Sequence, residues 1–164
     1  MESVEEQKKS SRGILVAIDD TQESLNALQW VLNNLFTSQD RIILIHAQRN
    51  PNSLLASGSP GFMVPVDVLK IFENDIKKST EKILARATEI CKAKNLTPET
   101  EVHTGDAREV ICNAAKKYNS DILVLGSHGY GALKRVVLGS VSDYCVHHVQ
   151  CPVVVVKPRE SKAH

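Results

Sequence analysis

Five apolar segments recur along the chain and are separated by amphipathic ones. Residues 13–19 (GILVAID) and 41–47 (RIILIHA) are almost continuously aliphatic, which is typical of strands covered on both faces of a parallel sheet. Shorter apolar runs occupy residues 121–125 and 153–156. Residues 100–104 (TEVHT) alternate polar and apolar side chains and predict a less buried strand near an edge of the sheet. The pattern therefore predicts five strands.

Four of the segments between these runs have apolar residues at the spacing of an amphipathic helix: residues 24–36, 66–94, 106–118 and 140–149. The longest is predicted to pack on the sheet through an apolar stripe along its whole length: Val68, Ile71, Phe72, Ile76, Ile83, Leu84, Ala87, Ile90 and Cys91. Residues 48–65 are rich in proline and glycine and show neither the spacing of a helix nor the alternation of a strand. They predict a long surface loop.

Strands that alternate with helices predict an α/β fold with a doubly wound, five-stranded parallel sheet and four helices. In such folds ligands bind beyond the carboxyl ends of the strands, where the strand order reverses. Two of the predicted strand ends carry suitable chemistry. Asp19 offers a carboxylate to ribose hydroxyls, and Gly126 opens a glycine-rich loop that suits phosphates.

Composition and charge narrow the class of protein. The chain has 164 residues. Its formal net charge is only +1, which predicts no basic surface for binding nucleic acid or a membrane. No apolar run approaches the ~18 residues of a membrane span, and the first residues lack the apolar segment of a secretory signal. We expect a cytoplasmic protein with a disordered tail at 1–11, one domain at 12–157 and a polar tail at 158–164.

The cysteines form no Cys-x2-Cys pair, and we interpret them as reduced, mostly buried side chains: Cys91, Cys112, Cys145 and Cys151. The alternative is a zinc site in the segment 145–151, which also holds His147 and His148. The crowded spacing of these ligands at a helix end disfavours zinc.

The loop after the fourth strand, residues 126–142 (GSHGYGALKRVVLGSVS), leads into the start of a helix and so suits an anion. A Walker A motif is excluded, because Ala132 and Leu133 follow Gly131 where Lys and Ser or Thr are required. The dinucleotide motif G-x-G-x-x-G fails at Lys134, and the nucleophile elbow G-x-S-x-G is absent.

The remaining spacing, Gly126-x2-Gly129-x9-Gly139-Ser140, matches the signature G-x2-G-x9-G-[ST] of nucleotide-binding universal stress proteins. The chain resembles that family from about residue 12 to residue 157, including the segments VAIDD, LIHAQ, GDAREVI and SDILVLGSHG. The amino-acid sequence from residue 126 onward is most similar to that of plant members of the family. The resemblance implies a Rossmann-like fold of the adenine nucleotide alpha hydrolase type.

The resemblance also implies an adenine-nucleotide site for ATP, ADP or AMP. Asp19 would accept hydrogen bonds from the ribose, Ala17 and Ile18 would line the base, and the backbone of Ala47 would bind the adenine edge. The loop would approach ribose and phosphate through Gly126, Ser127, His128 and Gly129. The helix start would offer N–H groups and hydroxyls to the phosphates from Gly139, Ser140, Val141 and Ser142. Mg²⁺ could bridge the phosphates, although the sequence shows no dedicated carboxylate cage.

Several of these side chains have structural roles as alternatives. Asp19 could cap the first helix, and His46 on an apolar strand is more simply a core histidine with a hydrogen-bond partner. His147 and His148 would offset the negative end of the last helix. Arg108, near the same sheet edge, is a further candidate for the site.

The leading functional hypothesis is a stress-response protein that binds ATP and acts as a nucleotide-dependent regulatory or binding module. A slow ATPase or phosphotransferase is the alternative, although no suitable carboxylate follows the glycine loop before Asp143. A scaffold with a structural nucleotide is the third. The resemblance also implies a homodimer formed through the all-valine strand 153–156, which would be a pairing hazard if left open.

Overall fold

The computed structural model of this protein describes residues 11–53, 58, 61, 63–127 and 138–159. Its five strands are β1 Gly13–Ala17, β2 Arg41–Gln48, β3 Glu99–Thr104, β4 Ile122–Gly126 and β5 Val153–Val156. The helices in the described ranges are α1 Gln22–Asn34, α2 Val66–Lys92, α3 Ala107–Lys117 and α4 Ser140–His148. The predicted α/β alternation is confirmed.

All strand pairs are parallel, in the order β3-β2-β1-β4-β5. The chain winds from β1 outward to β3 and then crosses to β4 on the other side of β1. The strand order therefore reverses between β1 and β4, which is the position where doubly wound sheets bind ligands. β3 lies at one edge, as its alternating sequence predicted, and β5 lies at the other.

Helices cover both faces of the sheet, which explains the unbroken aliphatic runs of the central strands. Ile14 and Val16 of β1 face the core formed with α1 and α2. Leu15, between them, faces the opposite core, formed with α3 and α4. Successive side chains of a strand point to opposite faces of the sheet. A strand that is buried on both faces therefore lacks the alternation of polar and apolar residues.

The predicted core face of α2 is wrong for the amino-terminal half of that helix. Val68, Ile71 and Phe72 are 38%, 59% and 40% exposed, whereas Ile83 is buried. α2 has 27 residues and is about 40 Å long, but the 8 residues of β2 span only about 26 Å. The Thr80 hydroxyl donates to Oε1 of Gln48, the last residue of β2, at 3.0 Å. The first half of α2 therefore extends beyond the carboxyl edge of the sheet.

The helix ends follow the local sequence. Asp106 caps α3 by accepting a hydrogen bond from the N–H of Arg108 at 2.9 Å. Asn95 and Asn119 have φ values of 56° and 46° and stand just beyond the last turns of α2 and α3. Asparagine tolerates the left-handed conformation better than most residues, and here it ends both helices.

Within the described ranges, no helix is both long and apolar enough to cross a membrane. The four cysteines are free thiols, of which Cys91 and Cys145 are buried and Cys112 and Cys151 half-buried. The interpretation of the cysteines as mostly buried is confirmed for Cys91 and Cys145, whereas Cys112 and Cys151 are only half-buried.

Candidate functional site

The carboxyl ends of β2, β1 and β4 lie side by side, because β1 pairs with β2 on one side and with β4 on the other. Together they form the carboxyl edge of the sheet, which runs across the ends of the strands. The N–H of Ile18, the first residue beyond β1, still donates to the carbonyl of Ile45 at 2.9 Å. Asp19, Ala47 and Gly126 are thereby brought to the same edge from three separate parts of the sequence.

Asp19 is held in place by the turn that leads into α1. Its Oδ1 accepts hydrogen bonds from the N–H of Thr21, at 2.9 Å, and from the Thr21 hydroxyl. The N–H of Asp19 donates to Oγ of Ser24 at 3.1 Å. Among the described residues Oδ2 has no hydrogen-bond partner, so this half-buried carboxylate is oriented with one oxygen available to a ligand.

The N-cap of α1 is Thr21, whose side chain accepts a hydrogen bond from the N–H of Ser24 at 3.3 Å. The alternative interpretation of Asp19 as the cap is therefore wrong. Asp19 instead orients the capping residue, and the carboxylate stays at the sheet edge.

Gly126, at the end of β4, packs against the first turn of α1. A Cβ atom at this position would lie 3.0 Å from the carbonyl carbon of Glu23 and 3.1 Å from its oxygen. Gly126 is therefore needed for close packing of two elements, and positive φ is not the reason for it. Gly139 also has ordinary backbone angles, with φ −67° and ψ 161°.

The start of α4 is tied to the end of β4 by two hydrogen bonds. The N–H of Gly139, the N-cap, donates to the carbonyl of Ser127 at 2.7 Å, and the Ser142 hydroxyl donates to the carbonyl of Gly126 at 2.8 Å. Within the described chain, the N–H groups of the first three residues of α4 have no acceptor: Ser140, Val141 and Ser142. Such groups at a helix start can bind an anion.

The three serines among the predicted site residues have different surroundings. Ser140 is exposed, whereas the Ser142 hydroxyl is already bonded to Gly126. The Ser127 side chain is 1% exposed, and its Oγ has no partner among the described residues. The other predicted members of the loop, His128 and Gly129, lie outside the described residues.

The side chains expected to line the base lie on opposite faces of the sheet. Ala17 is partly buried against the core of α3 and α4. Ile18 is 2% exposed in the core of α1 and α2, so its backbone is what it can offer a ligand. Ala47 is half-buried at the sheet edge. His46 is buried with Nδ1 2.9 Å from the carbonyl of Ile18, which confirms its interpretation as a core histidine.

Arg108 is engaged by its neighbours at the start of α3. Its Nε and Nη2 donate to the two carboxylate oxygens of Asp106 at 3.0 and 2.8 Å, and its guanidinium lies 5.6 Å from the centre of the Tyr144 ring. The hydrogen bonds from the Arg108 side chain, followed by that from its N–H, lower the pKa of Asp106 to about 2. The described contacts of Arg108 are with side chains of the protein.

The two histidines of the last turn of α4 bond to their own helix. His147 Nδ1 is 2.7 Å from the carbonyl of Asp143, and His148 Nδ1 is 2.7 Å from that of Tyr144. Over the described ranges, no three His, Cys, Asp or Glu side chains are grouped closely enough to hold a metal ion.

Two residues important to this edge, Glu23 and Ser24, were not identified from the sequence. Ser24 holds Asp19 together with Thr21, and the Thr-x-x-Ser spacing of a helix cap is a local signal that could have found it. Glu23, which packs on Gly126, has no such signal because the contact joins distant parts of the chain.

A model of the universal stress protein family matches residues 11–157 of the chain. The universal stress protein PHOS34 of Arabidopsis thaliana is 32% identical over 162 residues, which cover 89% of this chain and 62% of PHOS34. The universal stress protein YxiE of Bacillus subtilis is 31% identical over 144 residues, which cover 88% of this chain and 97% of YxiE. The chain thus spans less than two thirds of the first relative and nearly all of the second.

The fold is similar to that of a universal stress protein family protein from Arabidopsis thaliana, whose crystal structure has AMP bound. The TM-score is 0.65 at 24% sequence identity, with 91% of this chain and 93% of the other covered. This likeness shows that the two chains share a Rossmann-like α/β fold.

Proposed function

The chain belongs to the universal stress protein family, and we propose that it binds an adenine nucleotide beyond the carboxyl ends of β1 and β4, as a regulatory or binding module of the cytoplasm. One observation carries the proposal. The pairing of β1 with β4 brings the oriented carboxylate of Asp19 to the same edge as Gly126, to which the start of α4 is bonded.

The order of the strand ends matches the order of groups in a nucleotide. Ala47 ends up beside Asp19, and Asp19 beside Gly126, since β2, β1 and β4 are neighbours. Adjacent strands are about 4.8 Å apart, so the ends of β2 and β4 are about 10 Å apart. We propose that adenine contacts the β2 end, ribose contacts Asp19, and phosphates contact the amino-terminal N–H groups of α4.

The phosphate end suits a negatively charged group for two reasons. The N–H groups of Ser140, Val141 and Ser142, which have no acceptor among the described residues, add to the partial positive charge of the helix start. The exposed Ser140 hydroxyl can donate in addition. With ATP, a Mg²⁺ ion would be carried mainly by the phosphates, because the described residues include no group able to hold a metal by themselves.

The test is titration calorimetry of the nucleotide-free protein with ATP, ADP and AMP. Asp19→Asn keeps the size of the side chain but removes the charge that the ribose hydroxyls would meet. We expect this variant to bind about tenfold more weakly or worse, since a hydrogen bond to a charged group contributes ~1.5–3 kcal/mol.

Asp20→Asn is the matched control, because Asp20 is the exposed neighbour of Asp19, and its affinity should stay within about twofold of the parent. Absence of binding of all three nucleotides by the parent would overturn the proposal. Equal weakening by the two variants would remove the role proposed for Asp19.

Hydrolysis is not part of the proposal. Phosphoryl transfer to water needs a group that orients the attacking molecule. The acid in the first turn of α4, Asp143, has its Oδ1 3.9 Å from Nδ1 of His147, one turn further from the helix start. The described residues therefore offer a site for binding and give no support to the slow-ATPase alternative.

A homodimer formed through β5 is a second element of the proposal. β5 is an edge strand whose four valines are only partly buried, and its outer side is unpaired in the described chain. An all-valine edge strand invites pairing with another strand. The strand would pair with a second copy of itself across a two-fold axis, which is the commonest symmetry of soluble dimers.

A further inference from the structure

Two cysteines that are distant in the sequence have their sulfur atoms in contact. Sγ of Cys112, on α3, lies 3.9 Å from Sγ of Cys145, on α4. Both are free thiols, and neither belongs to the proposed nucleotide site. We propose that Cys112 and Cys145 form a reversible disulfide when the protein meets a peroxide, and that this bond links α3 to α4.

The geometry requires only a small movement. The sulfur atoms of a disulfide are about 2.05 Å apart, so the two thiols must approach by about 1.9 Å. Both residues belong to helices that pack on the same face of the sheet, in or against one apolar cluster. Rotation of the two side chains and a slight shift of α4 against α3 would supply the movement.

The two thiols differ in access, and this difference sets the order of the steps. Cys112 is half-buried and Cys145 is fully buried. Burial raises the pKa of Cys145 to about 12 and also raises the pKa of Cys112. Both groups are therefore protonated at neutral pH, and we expect the peroxide to react slowly, first at the accessible Cys112.

The chemistry balances with hydrogen peroxide as the only oxidant. The Cys112 thiol takes one oxygen atom from peroxide to form a sulfenic acid, the O–O bond breaks, and one water is released. The sulfur of Cys145 then attacks the sulfur of Cys112, the S–O bond breaks, and hydroxide leaves with the Cys145 proton as a second water. A dithiol reductant restores the two thiols.

The other cysteines provide controls. Cys91 is fully buried in the cluster on the opposite face of the sheet and has no sulfur contact among the described residues. Cys151 is half-buried just beyond α4, in the same cluster as Cys112, and is the competing partner.

The test is peptide mapping of peroxide-treated protein without reduction. Trypsin releases Cys112 in the peptide 109–116, but it leaves Cys145 and Cys151 together in one peptide that begins at residue 136. The protein to map is therefore the Cys151→Ala variant. We expect a linked pair of these two peptides and the loss of two free thiols per chain, both reversed by a dithiol.

In the Cys151→Ala background, a further Cys91→Ala change should leave the link intact, whereas a further Cys112→Ala or Cys145→Ala change should abolish it. The oxidised Cys151→Ala protein should also melt at a higher temperature than its reduced form, by roughly 5 °C, because the link closes a loop between residues 33 positions apart. The proposal is overturned if the linked peptide is absent, if Cys112 joins a second copy of the chain, or if oxidation lowers the melting temperature. None of these outcomes depends on nucleotide binding.

Discussion

Single residues decide how the candidate site is held before any ligand arrives. Asp19 alone would be a flexible carboxylate at the end of a strand. Its hydrogen bonds with Thr21 and Ser24 fix both its backbone and one carboxylate oxygen. An oriented acceptor loses less conformational freedom when a ligand binds, and this favours affinity.

Gly126 provides a direct test of packing at this edge. We expect Gly126→Ala to lower the free energy of unfolding by about 1–3 kcal/mol, because the new methyl group would press on the backbone of Glu23. Gly13→Ala is the matched control, since its nearest neighbour would be a side-chain nitrogen of Arg41 at 3.5 Å. Urea unfolding of both variants measures the difference, and equal effects would contradict the packing argument.

Arg12 and Asp40 form a bidentate ion pair in which the carboxylate is buried. Arg12 Nε and Nη2 donate to the two carboxylate oxygens at 3.0 and 2.7 Å, and the Asp40 side chain is only 5% exposed. Burial by itself would raise the pKa of Asp40, but the hydrogen bonds from Arg12 and Thr37 outweigh burial and hold the pKa below 3.8. The pair joins the start of β1 to the turn before β2.

This lowered pKa predicts a pH dependence of stability. A carboxyl group whose pKa is lower in the folded state stabilises the fold above its unfolded pKa, and the contribution is lost as the pH falls through the folded pKa. We expect Asp40→Asn to be about 2 kcal/mol less stable at pH ~7 and to lose less stability than the parent between pH ~5 and ~3. Urea midpoints at these pH values measure this, and parallel profiles would contradict it.

Among the elements, α2 shows that an apolar residue at amphipathic spacing is not always buried. The apolar stripe continues through the amino-terminal half of the helix, but the sheet beneath it ends near Thr80. The first turns of α2 stand beyond the carboxyl edge, on the side of the sheet where the candidate site lies.

The proposed dimer makes a prediction about β5. The N–H groups of Leu123 in β4 and of Ser127 just after it donate to the carbonyls of Pro152 and Val156. The alternation of a parallel ladder then turns the N–H of Val155 outward. Val155→Pro removes that outward donor and leaves the bonds to β4, so we expect it to convert a dimer to a monomer in light scattering. Val155→Thr keeps the N–H and should remain dimeric. A parent that is monomeric at micromolar concentration would contradict the dimer itself.

At the scale of the whole molecule, the candidate site exists only when the sheet is assembled. Asp19 and the start of α4 come from opposite ends of the chain and meet through the pairing of β1 with β4. A ligand that binds at this edge should therefore bind the folded state and have no measurable affinity for the unfolded chain.

This linkage predicts that nucleotide stabilises the fold. At a free AMP concentration ~100 times the Kd, the free energy of unfolding should increase by about 2.7 kcal/mol. At the same concentration Asp19→Asn should gain less, and the Asp20→Asn control should gain as much as the parent. Calorimetric binding without any shift of the urea midpoint would show that the nucleotide does not distinguish folded from unfolded protein.

The order and type of the elements, the parallel sheet and the family could all be predicted from the amino-acid sequence. This was possible because β1, β2 and β4 are buried on both faces, and burial on both faces leaves a short aliphatic run, rich in β-branched residues and bounded by polar or glycine residues. The edge position of β3 was visible for the same reason, as its alternating polar residues show incomplete burial.

The contacts between these elements, in contrast, became visible only in the folded structure. The contact of Gly126 with Glu23, the thiol pair and the exposure of the first half of α2 depend on how far each element extends and on what lies opposite. The spacing of apolar residues indicates which side of a helix or strand is apolar, because it depends only on residues that are close together in the sequence. A contact between distant segments is a property of the assembled fold, and no local pattern in the sequence records it.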